Sequence, residues 1–293
     1  MGEYPTSFDD PTTIIDIERY PIDQPSSPAY AELIKTIRKS LDHDGCAVLP
    51  SFFSQSALAA LIKDANEQAP NVFVTEKVNN PYFTEDDATL DPSHPARRFA
   101  KRSLGFITAE NFKDNSPLRI VYFWQAFFDF IRDALDEPKD KFFRYADPLS
   151  NVIINMTTEG NGFPWHFDTN NYTVTSLLQP ADEGGIFEYV PFIRKTEGGE
   201  ENFEAVRQIM DGEFHQRPTQ LDLKPGDLQI FHGRYSLHRV SPTRGPTPRF
   251  VATFSYTEDP NMVCSLRRVK ELYGKVLPVH IEHGKTRQDK FLD

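Results

Sequence analysis

From residue 145 onward the sequence breaks into short β-prone runs separated by turn signals, and this pattern constrains the fold more than any other feature. The runs are NVIINM (151–156), WHFDTN (165–170), YTVTSLLQ (172–179), IFEYVPF (186–192), QLDL (220–223), DLQIF (227–231), SLHRV (236–240) and RFVATFSY (249–256). Many short strands at this spacing are typical of a sandwich or jelly roll, whereas βαβ units would place a helix after each strand. We therefore predict an α+β fold whose core, residues 145–257, is a double-stranded β-helix (a cupin-like jelly roll) with flanking helices.

The segments around this core carry helical patterns. A proline-rich arm, 1–28, precedes a helical support, 29–144, in which residues 70–117 look irregular. The predicted elements of the support are a helix from Ala29 to Asp44, a strand at 45–53, a helix capped by Ser54 and an aromatic-rich helix from Ser116-Pro117 to about Leu135. A charged, helical insert, 194–217, interrupts the core and is a candidate lid. A final helix and tail, 258–293, complete what we interpret as a single domain, 1–293.

Composition excludes several classes of partner. The chain has 32 Lys and Arg against 43 Asp and Glu, a net charge of −11, which argues against binding to nucleic acid or to an anionic membrane. We find no secretory signal and no apolar run of membrane-spanning length. Cys46 and Cys264 each lie in an apolar run, as is typical of reduced, buried thiols, so we expect a cytoplasmic protein without disulfides. The sequence leaves the oligomeric state open.

Three residues have the side chains and spacing of a metal site. His166 and Asp168 are two residues apart, so in a strand their side chains project from one face, and His238 lies in another predicted strand. Two histidines and one carboxylate form the facial triad of non-heme Fe(II) oxygenases, which leaves three coordination positions open. Those positions suit a chelating 2-oxo acid and dioxygen. We therefore predict that these three residues are catalytic and bind Fe(II), with 2-oxoglutarate and O2 as co-substrates.

Other histidines offer competing patterns. His280-Ile281-Glu282 has a similar spacing, but no later strand supplies a third ligand, so we interpret His280 and His283 as surface residues. His232 lies six residues before His238, across a predicted turn, and we place it outside the site.

The residues expected to bind the co-substrate follow the last histidine. Arg249 begins a strand eleven positions after His238, and its guanidinium can hold the distal carboxylate of 2-oxoglutarate through two hydrogen bonds. Arg244 is the alternative, but it stands beside Gly245-Pro246 and is more typical of a turn. Thr253 shares a strand face with Arg249 and could donate to the same carboxylate. Asn155 and Gln179 are polar residues in apolar runs, which either contact the co-substrate or are buried amides bonded to the backbone.

The chain resembles a known family at this point. The strings WHFDTNNYTVTSLLQPADEGGIFEYVP (165–191), GDLQIFHGRYSLHRVSPTRG (226–245) and the ending RFVATFSY…LYGKVLPVH are similar to iron- and 2-oxoglutarate-dependent halogenases and hydroxylases that act on free amino acids. The resemblance spans about residues 145–280. It implies that the metal histidines are His166 and His238, and that the co-substrate arginine is Arg249. Family members that halogenate have a small residue such as Gly at the carboxylate position, and chloride takes the freed coordination site. Since Asp168 occupies that position here, the resemblance implies hydroxylation or another oxidative outcome.

The sequence gives less information on the substrate than on the metal and the co-substrate. The resemblance suggests a free amino acid or a similar small molecule, whose carboxylate needs a cationic partner. Arg98 and Arg102, four residues apart, are candidates, although each could equally be a solvated surface cation. Trp165 and Asn170 flank the ligand motif and are candidate pocket residues, with the core as the alternative place for Trp165.

Alternative functions also remain open. Desaturation, cyclisation or C–N cleavage could replace hydroxylation at the same cofactors. A non-catalytic metal-binding jelly roll and a zinc hydrolase are the other classes, and the latter has no use for Arg249.

Overall fold

The computed structural model describes residues 8–194, 199–285 and 291–292, so 1–7 of the predicted arm, 195–198 of the insert, and 286–290 and 293 of the tail lie outside the described residues. The helices within these ranges are α1 Pro28–Asp44, α2 Gln55–Gln68, α3 Pro117–Phe123, α4 Gln125–Ala134, α5 Phe203–Asp211, α6 Leu266–Tyr273 and α7 Pro278–His283. None of them is long and apolar enough to cross a membrane.

The strands alternate with turns as predicted. They are β1 Cys46–Leu49, β2 Phe73–Asn79, β3 Ala100–Ile107, β4 Phe143–Arg144, β5 Val152–Thr157, β6 Phe163–His166, β7 Thr173–Gln179, β8 Glu183–Gly184, β9 Phe187–Val190, β10 Thr219–Leu221, β11 Leu228–Phe231, β12 Leu237–Val240, β13 Thr243–Arg244, β14 Arg249–Phe254 and β15 Tyr256–Thr257. Each of the eight β-prone runs overlaps a strand, although the run 165–170 shares only Trp165 and His166 with β6.

Two antiparallel sheets form the core. The larger has the order β1-β11-β7-β14-β5-β3-β2, and the smaller has the order β10-β9-β12-β6. Following the chain from β5 to β14, strands of the two sheets alternate, except that β9 and β10 both belong to the smaller sheet, and β8 pairs with β13 as a separate short ladder. This winding is that of a double-stranded β-helix, so the predicted fold class is confirmed.

The helices cover the outer face of the larger sheet. Along β14, Phe250, Ala252 and Phe254 are fully buried in a core shared with residues of α1 to α4. Because side chains alternate along a strand, the residues between them, Val251 and Thr253, face the interior of the jelly roll. The larger sheet therefore separates a dry helical core from a partly polar interior.

Two elements differ from the prediction. Residues 70–117 contain β2 and β3, which extend the larger sheet at one edge. β2 was missed because it is an edge strand: it leaves Phe73, Val74 and Val78 exposed, so its sequence lacks a clear buried face. The aromatic-rich helix is two helices, since Trp124 is extended (φ −66°, ψ 124°) and separates α3 from α4.

The boundaries of the other helices follow their sequence signals. Ser54 accepts a hydrogen bond from Ala57 N at the start of α2, as predicted. Gly45 caps the C-terminus of α1 and Gly274 caps that of α6, both with left-handed backbone. Cys46 and Cys264 are buried and unpaired, as expected.

His280 is not a surface residue, contrary to the prediction, whereas His283 is exposed. α7 places the His280 ring in the protein, where Nε2 lies 3.0 Å from Asp147 Oδ2 and Nδ1 accepts from Leu277 N. The fully buried Asp147 carboxylate also accepts from the backbone N–H groups of Leu149, Ser150 and Cys264. A histidine spacing alone could not reveal this partner, which lies 133 residues earlier in the chain.

Replacing Asp147 by alanine is expected to lower the free energy of unfolding by about 3 kcal/mol, because four buried donors lose their acceptor. Urea denaturation followed by circular dichroism measures the change. Asp114→Ala, at a side chain that is 100% exposed, is the control and should stay within about 0.5 kcal/mol of the parent. Equal stabilities of the two variants would contradict the structural role of Asp147.

Candidate metal centre and active site

The register of two strands in the smaller sheet brings the two predicted histidines together. β6 and β12 pair antiparallel with His166 directly opposite His238. Both side chains are buried, and their ring centroids lie 4.0 Å apart. Paired residues of an antiparallel ladder project to the same side, so strand pairing alone aims both imidazoles at one point.

Asp168 reaches that point from a loop, which differs from the expectation that it shares a strand with His166. β6 ends at His166, and the Asp168 N–H donates to Gly233 O at 3.1 Å. Asp168 Oδ1 lies 3.7 Å from His166 Nε2 and 3.5 Å from His238 Nε2. The three ligand atoms all lie within 4.8 Å of one another, a spacing that one ion with bonds of about 2.1 Å can bridge.

Hydrogen bonds behind the imidazoles orient them for metal binding. His166 Nδ1 lies 2.8 Å from Pro164 O, and His238 Nδ1 lies 2.9 Å from Ser236 O. A backbone carbonyl requires Nδ1 to carry the proton, so Nε2 of each ring presents its lone pair to the site.

Electrostatics favours the metal-binding forms of His166 and Asp168. Burial, reinforced by the neighbouring His238, holds the pKa of His166 well below its usual value, so this imidazole is neutral. Burial opposes ionisation of Asp168, but His238, His166 and a hydrogen bond from Thr173 outweigh it and hold the Asp168 pKa below its usual range. Neutral imidazoles and an ionised carboxylate are the donor set that a divalent metal requires.

Gly233 makes room for the carboxylate, a role that sequence reasoning missed. A Cβ on Gly233 would lie 2.8 Å from Asp168 Cγ and 2.6 Å from Thr173 Oγ1, and it would overlap the carboxylate itself. Thr173 donates to Asp168 Oδ2 at this point, so neither group can withdraw without losing that bond.

Gly233→Ala is therefore expected to displace Asp168 and to weaken binding of a divalent metal by about 100-fold while the protein still folds. Titration calorimetry with Co(II) measures the affinity, and circular dichroism checks the fold. Gly212→Ala is the control for a strained substitution away from the site, because its φ is 74° and nothing lies within 4 Å of a Cβ there. Parent-like metal affinity of the Gly233 variant would contradict this account.

Arg249 stands at the start of β14 as a buried cation without a counter-charge. Its guanidinium forms no ion pair with any residue in the described ranges. Burial lowers its pKa to about 10, so it remains charged at neutral pH. An unpaired buried charge is costly and is retained where an anion binds it.

A row of polar side chains crosses the interior on the strands next to Arg249. Asn155 Nδ2 donates to Thr253 Oγ1 at 2.8 Å, and Thr253 stands opposite Thr175 in the ladder. Thr175 in turn donates to Gln229 Oε1 at 3.2 Å. Thr175 and Gln229 were missed in the sequence, although their alternation with apolar neighbours was the available signal.

The Gln179 side chain lies on the outer face of the larger sheet, opposite to the face that carries Asn155 and Thr253. Its amide donates to Pro248 O at 2.7 Å and lies 3.5 Å from Asn66 of α2. A register shift between Phe250 and Val251 of β14 pairs Gln179 with the outward-facing Phe250. A bulge reverses the facing of a strand residue, which the sequence pattern alone did not reveal.

The predicted substrate residues separate into two groups. Arg98 pairs with Asp211 of α5 at 2.5 Å, and the Trp165 ring packs under Arg239, whose Cζ is 4.6 Å from the ring centroid. Asn170 lies in the loop that follows Asp168. Arg102, by contrast, is buried next to the ligands.

Arg102 is separated from the metal site by one aromatic ring. Its Cζ lies 5.1 Å from the centroid of Phe163, and that ring stacks on His166 at a centroid distance of 3.5 Å. Its Nε is buried and has no hydrogen-bond partner. Arg102 is therefore a second buried cation near the triad.

The insert packs against residues that neighbour the metal ligands, whereas His232 is not among the ligands. Val206 and Ile209 of α5 pack in one cluster with Phe167 and Leu237, which neighbour the ligands in the chain. The His232 backbone N–H donates to Gly45 O, and its ring is not part of the ligand group.

Comparison with protein families gives one match. The family described as Halogenase D (HalD) matches residues 30–272, which is most of the chain. A search of curated proteins finds no significant match.

Solved structures share the fold at low sequence identity. The non-heme alpha ketoglutarate dependent carbocyclase SnoK from nogalamycin biosynthesis is 12% identical, with a TM-score of 0.51 over 76% of this chain and 83% of that chain. The epimerase SnoN in complex with Fe3+, alpha ketoglutarate and nogalamycin RO is 11% identical, with a TM-score of 0.50 over 78% and 84%. Prolyl 4-hydroxylases from Phytophthora capsici give 15% identity and a TM-score of 0.50 over 87% and 70%. At these identities the likeness concerns the fold.

Proposed function

The chain belongs to the halogenase D family, and from that premise we propose that it is a non-heme Fe(II)- and 2-oxoglutarate-dependent oxygenase. The reaction proposed is hydroxylation of an unactivated C–H bond in a free amino acid or similar small molecule. The observation that carries the proposal is the convergence of His166, Asp168 and His238 within 4.8 Å, where the pKa shifts favour a neutral His166 and an ionised Asp168. The family match and the fold shared with alpha ketoglutarate dependent enzymes support the proposal.

The three ligands would hold Fe(II) on one side and leave its other positions open. When bound, the iron supplies the oxidising chemistry with O2, while 2-oxoglutarate is converted to succinate and CO2. The protein's own contribution is to orient the imidazoles through Pro164 O and Ser236 O, and to shield the site from water. The aromatic rings of Phe163 and Phe187, 3.5 and 5.5 Å from the two imidazoles, provide part of that shield.

Arg249 would bind the distal carboxylate of 2-oxoglutarate. It is a buried cation on the interior side of the larger sheet, and it begins the strand that carries Thr253. The hydroxyl of Thr253 and the amide of Asn155, already bonded to each other, lie further along the same strand pair. Two parallel N–H···O bonds from a guanidinium give both affinity and a fixed orientation of the co-substrate.

Asp168 favours oxygenation over chlorination. Family members that halogenate have a small residue at this position, and a halide takes the free coordination site. Here the carboxylate is held at the site by Thr173 and by the Gly233 backbone, so the position is filled. Desaturation, cyclisation and C–N cleavage use the same metal set and differ only in the fate of the substrate after hydrogen abstraction.

For the substrate, Arg102 is the residue best placed to bind a carboxylate. It is buried, carries an unsatisfied Nε and is separated from His166 only by the Phe163 ring. Arg98 is neutralised by Asp211, and Trp165 faces Arg239, so neither is included in the proposed pocket. Asn170 stays a candidate because of its place in the ligand loop.

Anaerobic mixing with Fe(II) and 2-oxoglutarate tests the cofactor part of the proposal. A visible metal-to-ligand charge-transfer band is expected from chelation of the metal by a 2-oxo acid. Mass spectrometry of reactions with the twenty amino acids under 18O2 then tests the reaction, with a mass gain of one labelled oxygen expected. Absence of the band, or of succinate formation, would contradict the proposal.

A further inference from the structure

Two guanidinium groups converge on one aromatic ring beside the metal ligands. The Cζ atoms of Arg102 on β3 and of Arg268 on α6 lie 5.6 Å and 5.3 Å from the centroid of the Phe83 ring. That ring is itself 5.8 Å from the His166 imidazole. α6 therefore brings a second cation from a distant part of the chain to the edge of the site.

Neither cation is neutralised within the described ranges. No ion pair joins Arg102 or Arg268 to a described residue, and Arg102 Nε is buried without a hydrogen-bond partner. Burial and the charge of Arg268 lower the pKa of Arg102 to about 10, against the opposing effects of Glu271 and Tyr273. Two neighbouring cations repel each other, which raises the free energy of this arrangement. A bound anion that contacts both would lower it.

The backbone of Phe83 supports a binding role. Its φ of 58° lies in the left-handed region, which costs a bulky residue about 1–2 kcal/mol. The loop is held in that conformation by Asn80, whose carbonyl accepts from Phe83 N and whose side chain donates to Ala96 O at 2.6 Å. Such strain persists where the surrounding structure imposes it, and here it keeps an aromatic ring between two cations and a metal ligand.

The same loop is joined to the metal ligands. Phe167 N, between the ligands His166 and Asp168, donates to Pro81 O at 3.0 Å. A ligand held by Arg102, Arg268 and Phe83 would therefore have a fixed position relative to the metal. Fixed placement of a carboxylate is what selects one C–H bond for oxidation.

We infer that Arg268 acts with Arg102 as a clamp for the carboxylate of the substrate, so that the protein selects small carboxylic acids over their amides. The inference rests on the proposed function, because the clamped molecule is the one that is oxidised next to His166. It adds a specificity residue from α6, which nothing in the ligand motif indicates. The clamp does not include Arg249, which would bind the co-substrate.

Arg268→Gln tests the clamp, and Arg267→Gln is its matched control. Arg267 is the preceding residue of the same helix, but its side chain is 70% exposed and pairs with Glu85 at the surface. The twenty amino acids are titrated one at a time into the anaerobic protein loaded with Fe(II) and 2-oxoglutarate, and the shift of the visible band reports binding. The carboxamide of each amino acid that binds is then titrated in the same way.

We expect at least one amino acid to bind to the parent and to the Arg267 variant with equal affinity. Arg268→Gln should weaken that binding by about 10- to 100-fold, as for loss of a charge-assisted contact, and Arg268→Lys should recover part of it. The carboxamide should bind about 10-fold or more weakly to the parent, and the difference between acid and amide should shrink in Arg268→Gln. Thermal unfolding of the variants checks that the fold is retained.

Different outcomes separate the clamp from the function. If the band forms but no amino acid perturbs it, or if Arg268→Gln binds like the parent, the clamp is wrong and the cofactor chemistry stands. If no band forms, the proposed function is wrong. In that case calorimetry measures the binding of each amino acid and its carboxamide to the unloaded protein. The affinities of the Arg268 and Arg267 variants are compared as before, and this comparison tests the clamp.

Discussion

Replacing Asp168 by alanine is expected to weaken Fe(II) binding by more than about 100-fold and to abolish substrate oxidation. Loss of an outer partner of a metal ligand already costs about 10- to 100-fold in affinity, and Asp168 is the ligand itself. It is also the only anion of the group His166, Asp168 and His238. Anaerobic titration with Fe(II) and the intensity of the 2-oxoglutarate charge-transfer band measure the effect.

Asp222→Ala is the control, since that carboxylate is on the surface with 85% of its side chain exposed. Asp168→Gly tests whether this residue decides between oxygenation and halogenation, because the variant frees a coordination position and leaves no side chain there. In that variant, chloride should alter the visible spectrum, whereas the parent should be insensitive to chloride. Undiminished Fe(II) binding by Asp168→Ala would remove Asp168 from the metal site.

Replacing Arg249 by glutamine is expected to raise the KM for 2-oxoglutarate by about 30-fold or more. Truncating one partner of a buried, hydrogen-bonded charge pair costs about 2–5 kcal/mol, and each 1.4 kcal/mol corresponds to about tenfold. The same variant should leave the unloaded protein equally stable or more stable, because an uncompensated buried charge is removed. Succinate formation at varied 2-oxoglutarate and urea unfolding of the unloaded protein provide the two readouts.

Arg244→Gln is the matched control for Arg249, since it is a nearby arginine with 79% of its side chain exposed. The comparison also distinguishes the proposed oxygenase from a zinc hydrolase, which would use the same three ligands but no 2-oxo acid. Under the hydrolase alternative Arg249→Gln would be silent. An unchanged KM together with normal metal binding would therefore contradict the role of Arg249.

The metal set and the fold class could be predicted because they depend on local patterns. Period-two runs separated by turns are visible without any tertiary information, and they predicted the strands that carry the ligands. His166, Asp168 and His238 supply the two-histidine, one-carboxylate donor set of a non-heme Fe(II) facial triad. The strand continuation to Asp168 was wrong, but the loop brings the carboxylate to the same point as the two imidazoles.

Residues whose role depends on long-range contacts could not be assigned in this way. His280 looked like a surface histidine, and only its packing against Asp147 shows that it is buried. Gln179 and Asn155 looked equivalent in sequence, but a bulge turns the first toward α2 and leaves the second next to Thr253. Arg98 and Arg102 likewise looked alike, and their surroundings distinguish them.

The sequence by itself determined the chemistry available to this protein: a divalent-metal triad with a carboxylate where halogenating relatives have a small residue, and an arginine after the last histidine. It did so because side-chain type and strand periodicity are local properties. Only the tertiary structure decided which charges remain unpaired, since that depends on what the fold places within a few ångströms. It pairs Arg98 with Asp211, leaves Arg102 and Arg249 buried without a counter-charge among the described residues, and brings Arg268 from α6 to the ring of Phe83.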